Sequence, residues 1–206
     1  MNICAYTKKY VFKISCLMSL KFKIKTLLLF PFTIPHLLSF CLNLGGKNLI
    51  CCDINRQSIG ETRFVNNKYF LLSLLLINMC VFRNIFYYRI GRIRIILKCI
   101  LPGIKNIEIN SKNIGGGLVL VHGYNVVINR KATIGHNCTI FHNVTIGENR
   151  KGVPIIGNNV QIGCGAIIIG PVHIGNQVKI GAGALVIDDV PDNATVIGNK
   201  AQIKAQ

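Results

Sequence analysis

Residues 156–186 read IGNNVQIGCGAIIIGPVHIGNQVKIGAGALV, and an aliphatic residue returns at every sixth position: Ile156, Ile162, Ile168, Ile174, Ile180 and Val186. The same spacing runs upstream through Ile146, Ile140, Ile134 and Ile128, with one longer step between Ile146 and Ile156. Glycine follows the aliphatic residue in six of these ten repeats. Two positions before it stand small or β-branched residues: Ala132, Cys138, Val144, Val160, Ala166, Val172, Val178 and Ala184, with Pro154 at the longer step. A period of six fits neither a helix, which repeats every ~3.6 residues, nor a plain hairpin array. It describes very short strands and tight corners, with three hexapeptides closing one triangular coil. Gly and Asn between the strands suit corners where φ must be positive. The expected fold is mostly β, a parallel β-helix over residues 105–206.

The period breaks twice. Between Leu120 and Ile128 the interval is eight, so HGYNVV (122–127) is expected to bulge from the coil. Between Ile146 and Ile156 it is ten, so GENRKGVP (147–154) is expected to leave as a loop. Insertions in a solenoid gather on its binding face. Both are expected in the same stretch of the prism, within two coils of each other.

This half resembles the left-handed β-helix acyltransferases of the hexapeptide-repeat superfamily. Over roughly residues 81–203 it is similar to the serine acetyltransferases and, more closely, to their relatives associated with capsule and surface polysaccharide. The likeness is carried by IGGGLVLVHGYNVVIN, ATIGHNCTIFHNVTIG, IGAGALVIDDVPDNATVIGN and FRNIFYYRIG. It implies a left-handed coil, a homotrimer with sites at subunit boundaries, and acetyl-CoA as co-substrate.

Moving an acyl group from a thioester to an alcohol needs a base for the hydroxyl proton and donors for the oxyanion. Imidazole titrates near working pH. The resemblance makes His122 that base and gives Glu108, in IEINSKNIGGG one coil earlier, the task of fixing its tautomer. Gly123, Tyr124 and His142 are the candidate acceptor contacts. His136, one hexapeptide before His142, reads as a corner residue, and His173 as a surface one. For the coenzyme arm the resemblance implies the small residues Gly163, Gly165, Ala166, Ala182, Gly183 and Ala184. Lys200 and Lys204 are expected near its phosphates.

Two departures bear on the acceptor. Val121 stands where serine acetyltransferases carry an acid before the base, and the loop NRKGVPIIG lacks their Arg–His pair. A zwitterionic amino acid loses both anchors, whereas a neutral sugar hydroxyl needs neither. The expected acceptor is therefore a hydroxyl of a sugar or glycan precursor. Serine, for cysteine synthesis, is the alternative, and a non-catalytic β-helix binding module the second alternative.

Upstream, the chain changes character. Residues 1–104 carry 15 basic and 2 acidic side chains, against 9 and 5 in residues 105–206, and only 5 of the 20 glycines. This reads as a basic, apolar, helical region. No nucleic-acid-binding motif accompanies the charge, so an anionic membrane surface is the expected partner and nucleic acid is not. Residues 26–46 are uncharged and long enough to span, but Pro31 and Pro35 interrupt them. A span, an interfacial segment and a core helix all stay open. Arg83, Arg89, Arg92, Arg94 and Lys98 are expected to form a basic face. Nine cysteines without a CxxC pair, and no cleavable leader, point to a reduced cytoplasmic chain, peripheral on the inner membrane face, with no metal site.

Overall fold

The structure is a computed structural model that describes residues 28–42, 47–57, 68–90 and 94–198. The chain divides into two compact units, Met1–Gly103 and Ile104–Gln206.

The second unit is a parallel β-solenoid of three faces. The first face stacks β1 (Ile107–Ile109), β4 (Val126–Ile128), β7 (Thr145–Gly147), β10 (Ile167–Ile169) and β13 (Leu185–Val186). The second stacks β2 (Asn113–Ile114), β5 (Thr133–Ile134), β8 (Ile155–Ile156) and β11 (His173–Ile174). The third stacks β3 (Val119–Val121), β6 (Thr139–Phe141), β9 (Gln161–Ile162), β12 (Lys179–Ile180) and β14 (Thr195–Val196). Each chain step up to β13 moves to the next face, and each strand up to β10 pairs with the one three further on; in the last coil the second face is a single bridge, Ile174–Val190, and β12 pairs with β14, giving five turns. The period-six aliphatics pair directly, Ile128 with Ile146, Ile134 with Ile156 and Ile140 with Ile162. All ten are buried, and so are the small or branched residues two positions earlier.

The corners explain the glycine and asparagine content. Between the second and third faces the left-handed position is held by Gly117, Asn137, Asn159, Gln177 and Asn193, one per coil. Between the third and first faces it is held by Asn125, Asn143, Gly165 and Gly183. Asn tolerates this conformation because its short side chain bonds locally. A ladder of side chains caps the backbone along the former corner. Asn158 Oδ1 accepts from His136 N at 2.7 Å, Asn176 Oδ1 from Asn158 N at 2.8 Å, and Asp192 Oδ1 from Asn176 N at 2.6 Å. Such caps satisfy amides that the strands leave unpaired.

The first unit is helical. A 3-10 turn (Phe30–Thr33) runs into α1 (Ile34–Leu42), followed by α2 (Lys47–Gln57), α3 (Lys68–Asn78), α4 (Cys80–Arg89) and α5 (Arg94–Ile100). Pro31 and Pro35 sit at the starts of the turn and of α1, where a missing amide costs nothing. Among the described residues no helix is long and apolar enough to cross a membrane. The core joins Phe40, Ile50, Ile54, Leu72, Leu76, Phe82 and Phe86 with their neighbours. It also holds a polar network. His36 Nε2 lies 2.9 Å from the Tyr87 hydroxyl, which reaches the carbonyl of Leu101, and His36 Nδ1–H donates to the Phe32 carbonyl. Burial lowers the His36 pKa and pushes Tyr87 up to about 12.

The expected basic face is not what forms. Arg89 Nε meets Asp53 Oδ2 at 2.9 Å with both side chains buried, and Arg83 Nη1 donates to the Leu76 carbonyl at the end of α3. A buried carboxylate needs a paired cation, and an unfinished helix end needs donors. Both arginines are drawn inward by these demands. Lys98 stays exposed, while Arg92 and the Arg94 side chain lie outside the described residues.

Candidate active site

The chain leaves β3 at Val121 and should turn at once onto the first face. The two extra residues prevent this, and the backbone folds back on itself instead. His122 adopts φ 49° and Asn125 φ 52°, so two left-handed residues bracket Gly123 and Tyr124. Tyr124 N donates to the His122 carbonyl at 2.6 Å, closing a three-residue turn. A left-handed conformation costs a non-glycine residue on the order of 1 kcal/mol, and such strain gathers at functional positions. The bulge is pinned to the coil below. Asn143 N donates to the Tyr124 carbonyl at 2.9 Å, and Asn125 Nδ2 donates to Asn143 Oδ1 at 3.1 Å. Gly123 is buried, whereas the His122 and Tyr124 side chains face outward.

Directly along the axis stands the second histidine. Val121 pairs with Phe141, which seats His142 beneath His122. The two rings meet edge to face, with centroids 6.3 Å apart and planes at 74°. His142 is half-buried, and its Nδ1 is buried without a hydrogen-bond partner. A buried unpaired nitrogen is uncommon and calls for an explanation. Next in the column come Cys164 and Ala182, since β6 pairs β9 and β9 pairs β12 in register. The corner from third to first face therefore carries His122, His142, Cys164 and Ala182, one per coil. Cys164, half-buried, is a member that period-six reading alone did not single out. Stacking the repeats three at a time would have found it.

The small residues continue this same edge. A Cβ added at Gly183 would meet nothing within 4 Å, and one at Gly165 would find only Gly183 N at 4.0 Å. The outer edge there is bare backbone. Gly163 is packed against the Ala182 amide, and Ala166 and Ala184 point into the solenoid core, so those two offer a ligand only their main chain. Lys200 and Lys204 lie outside the described residues.

Glu108 occupies β1 on the first face, exposed, its Cα opposite Val127 of β4, the strand that follows the bulge. His136 takes a structural post, accepting from Gly116 N at 3.2 Å in the corner ladder. The ten-residue interval does form a loop, closed by Asn149–Gly152 bridging, with Lys131 Nζ 3.3 Å from Glu148. It leaves at the corner between first and second faces, whereas the bulge leaves between third and first. The two insertions share the first face but not a corner, because the two steps fall at different points of the three-strand cycle. Among the described residues no group of three His, Cys, Asp or Glu side chains is placed to hold a metal ion.

A triangular solenoid with a histidine bulge at one corner defines a class, and comparison with known proteins agrees. Residues 154–188 match the family described as bacterial transferase hexapeptide (six repeats). A putative colanic acid biosynthesis acetyltransferase of Escherichia coli K12 is 44% identical over 94 residues, 44% of this chain and 58% of that protein. A probable serine acetyltransferase of Oryza sativa is 49% identical over 94 residues, 44% of this chain and 31% of that one. Among solved structures, the serine acetyltransferase of Neisseria gonorrhoeae in complex with serine superposes with a TM-score of 0.61 at 30% identity, over 80% of this chain and 71% of that one. The chain belongs to the hexapeptide-repeat acyltransferases. It spans little more than half the length of the colanic acid relative.

Proposed function

We propose that this chain transfers an acetyl group from acetyl-CoA to a hydroxyl of a sugar or glycan precursor, with His122 as general base. The observation that supports this reading is the His122 bulge, a strained, outward imidazole stacked on His142 at the head of a corner whose lower coils are bare backbone. The acetylated arm would run along Cys164, Gly165, Ala182 and Gly183, where no side chain longer than cysteine obstructs it. His122 takes the proton from the acceptor hydroxyl as its oxygen bonds to the thioester carbonyl carbon. The C–S bond then breaks, and the imidazolium returns the proton to the departing thiolate. No acyl-enzyme is formed. Glu108 is assigned to orienting the base, and His142, with its unpaired Nδ1, to an acceptor hydroxyl. Assembly as a homotrimer, with the corner edge facing a neighbour, is part of the same reading.

Serine as acceptor is the second reading, supported by the likeness to the serine acetyltransferase structure. Against it stand Val121, which offers no carboxylate for an amine, and a loop whose bases are Arg150 and Lys151 without a histidine. Thiol release from acetyl-CoA separates the readings. Release with nucleotide-sugar or glycan acceptors in preference to serine is expected. A tenfold preference for serine would replace the acceptor, and release with none would make the solenoid a binding module.

A further inference from the structure

The helix α1 and the turn before it bury polar side chains beside apolar ones. Their inward side carries Thr33 and His36, both 0% exposed, with Ser39 and Phe40. The outward side of α1 carries Ile34, Leu38 and Leu42, one helical turn apart and 51%, 59% and 78% exposed. The preceding turn extends that apolar stripe with Phe30 and Phe32, and Phe70 of α3 adjoins it, its ring 6.4 Å from that of Phe30. The arrangement is locked from within. The Thr33 hydroxyl lies 3.2 Å from that of Ser73, and His36 is held by Tyr87. Turning the leucines inward would strand these polar groups at a cost comparable to a lost hydrogen bond each. A contiguous exposed apolar stripe marks a surface that something covers.

Charge selects what covers it. Residues 1–52 contain seven lysines and no acidic residue, and the first acid, Asp53, is buried against Arg89. This acid-free, lysine-rich stretch of sequence disfavours a second copy of itself and favours an anionic surface. The stripe is far too short to span a bilayer but suits a helix lying in the headgroup region, apolar side down. We propose that the outer face of the Phe30–Leu42 segment seats this protein on an anionic lipid bilayer. This placement does not depend on the acetyl-transfer reading.

The chain contains no Trp, so Leu38→Trp provides a single reporter at the centre of the stripe. Full-length protein is titrated with phosphatidylglycerol vesicles and with phosphatidylcholine vesicles at low and high salt. A blue shift and co-sedimentation with the anionic vesicles, weakened by salt, are expected. Leu38→Glu with Leu42→Glu, checked for native circular dichroism, should lower partitioning by about tenfold or more. An unshifted Trp, equal binding to both lipids, or undiminished binding of the double variant overturns the proposal. So does a smaller lipid-free assembly in that variant when neither form binds vesicles, which would give the face to a second copy.

Discussion

The solenoid and the helical unit handle polarity in opposite ways. In the solenoid the inward positions are apolar save Ser111, whose hydroxyl donates to the Ala132 carbonyl, and the other polar side chains cap corners or face water. In the helical unit Thr33, His36, Ser73, Asp53 and Arg89 are buried while Ile34, Leu38 and Leu42 are exposed. A repeating coil contacts mainly its neighbours, so every position meets the same demand and the sequence pattern repeats it. A small helical unit meets each demand once, with partners far apart in sequence. Its buried groups survive by pairing, and its surface carries the apolar residues that have found no inner place.

Breaking the buried ion pair tests this contrast most severely. Asp53→Ala removes the carboxylate that faces the buried Arg89 guanidinium and should destabilise the helical unit by about 3–5 kcal/mol, while Asp53→Leu with Arg89→Met should recover most of the loss. Urea denaturation followed by circular dichroism reads both. In the solenoid, neighbours on one strand should behave oppositely. Ile168→Ala, fully buried, should cost about 2–5 kcal/mol, and Ile167→Ala, 38% exposed, within about 0.5 kcal/mol. Equal costs would contradict the inward alternation. At a corner, Asn159→Ala should cost about 1 kcal/mol through its φ of 57°, and Asn159→Gly less.

The smallest effect concerns pH. Burial holds the His36 pKa below its ordinary value, so the unfolded chain takes up that proton first as pH falls. Stability should therefore be level above pH ~6.5 and decline below it, and His36→Gln should flatten part of that decline in melts across the range. An unchanged slope would place the titrating group elsewhere.

The solenoid could be read in advance because ten aliphatics at one spacing admit one geometry, and the interval of eight before Ile128 announced the bulge. The second insertion was legible as a loop within two coils of the bulge, but the corner at which it leaves was not, since counting by six hides the three-face cycle; the same habit hid Cys164. The helical unit was less legible for a different reason. Spacing showed Arg83 and Arg89 on helices but not which side faced inward, because that depends on Asp53 and on the end of α3. By pattern alone Thr33, His36 and Ser39 belong outside. Only Ser73 and Tyr87, about 40 and 50 residues away in sequence, bring two of them in.

The central claim is that the bulge presents a base. Single-turnover thiol release by His122→Ala, with coenzyme A affinity measured in parallel, tests it directly. A fall in the chemical step of about 10²–10⁴-fold with coenzyme affinity unchanged is expected. Turnover within a few-fold of the parent chain would contradict it.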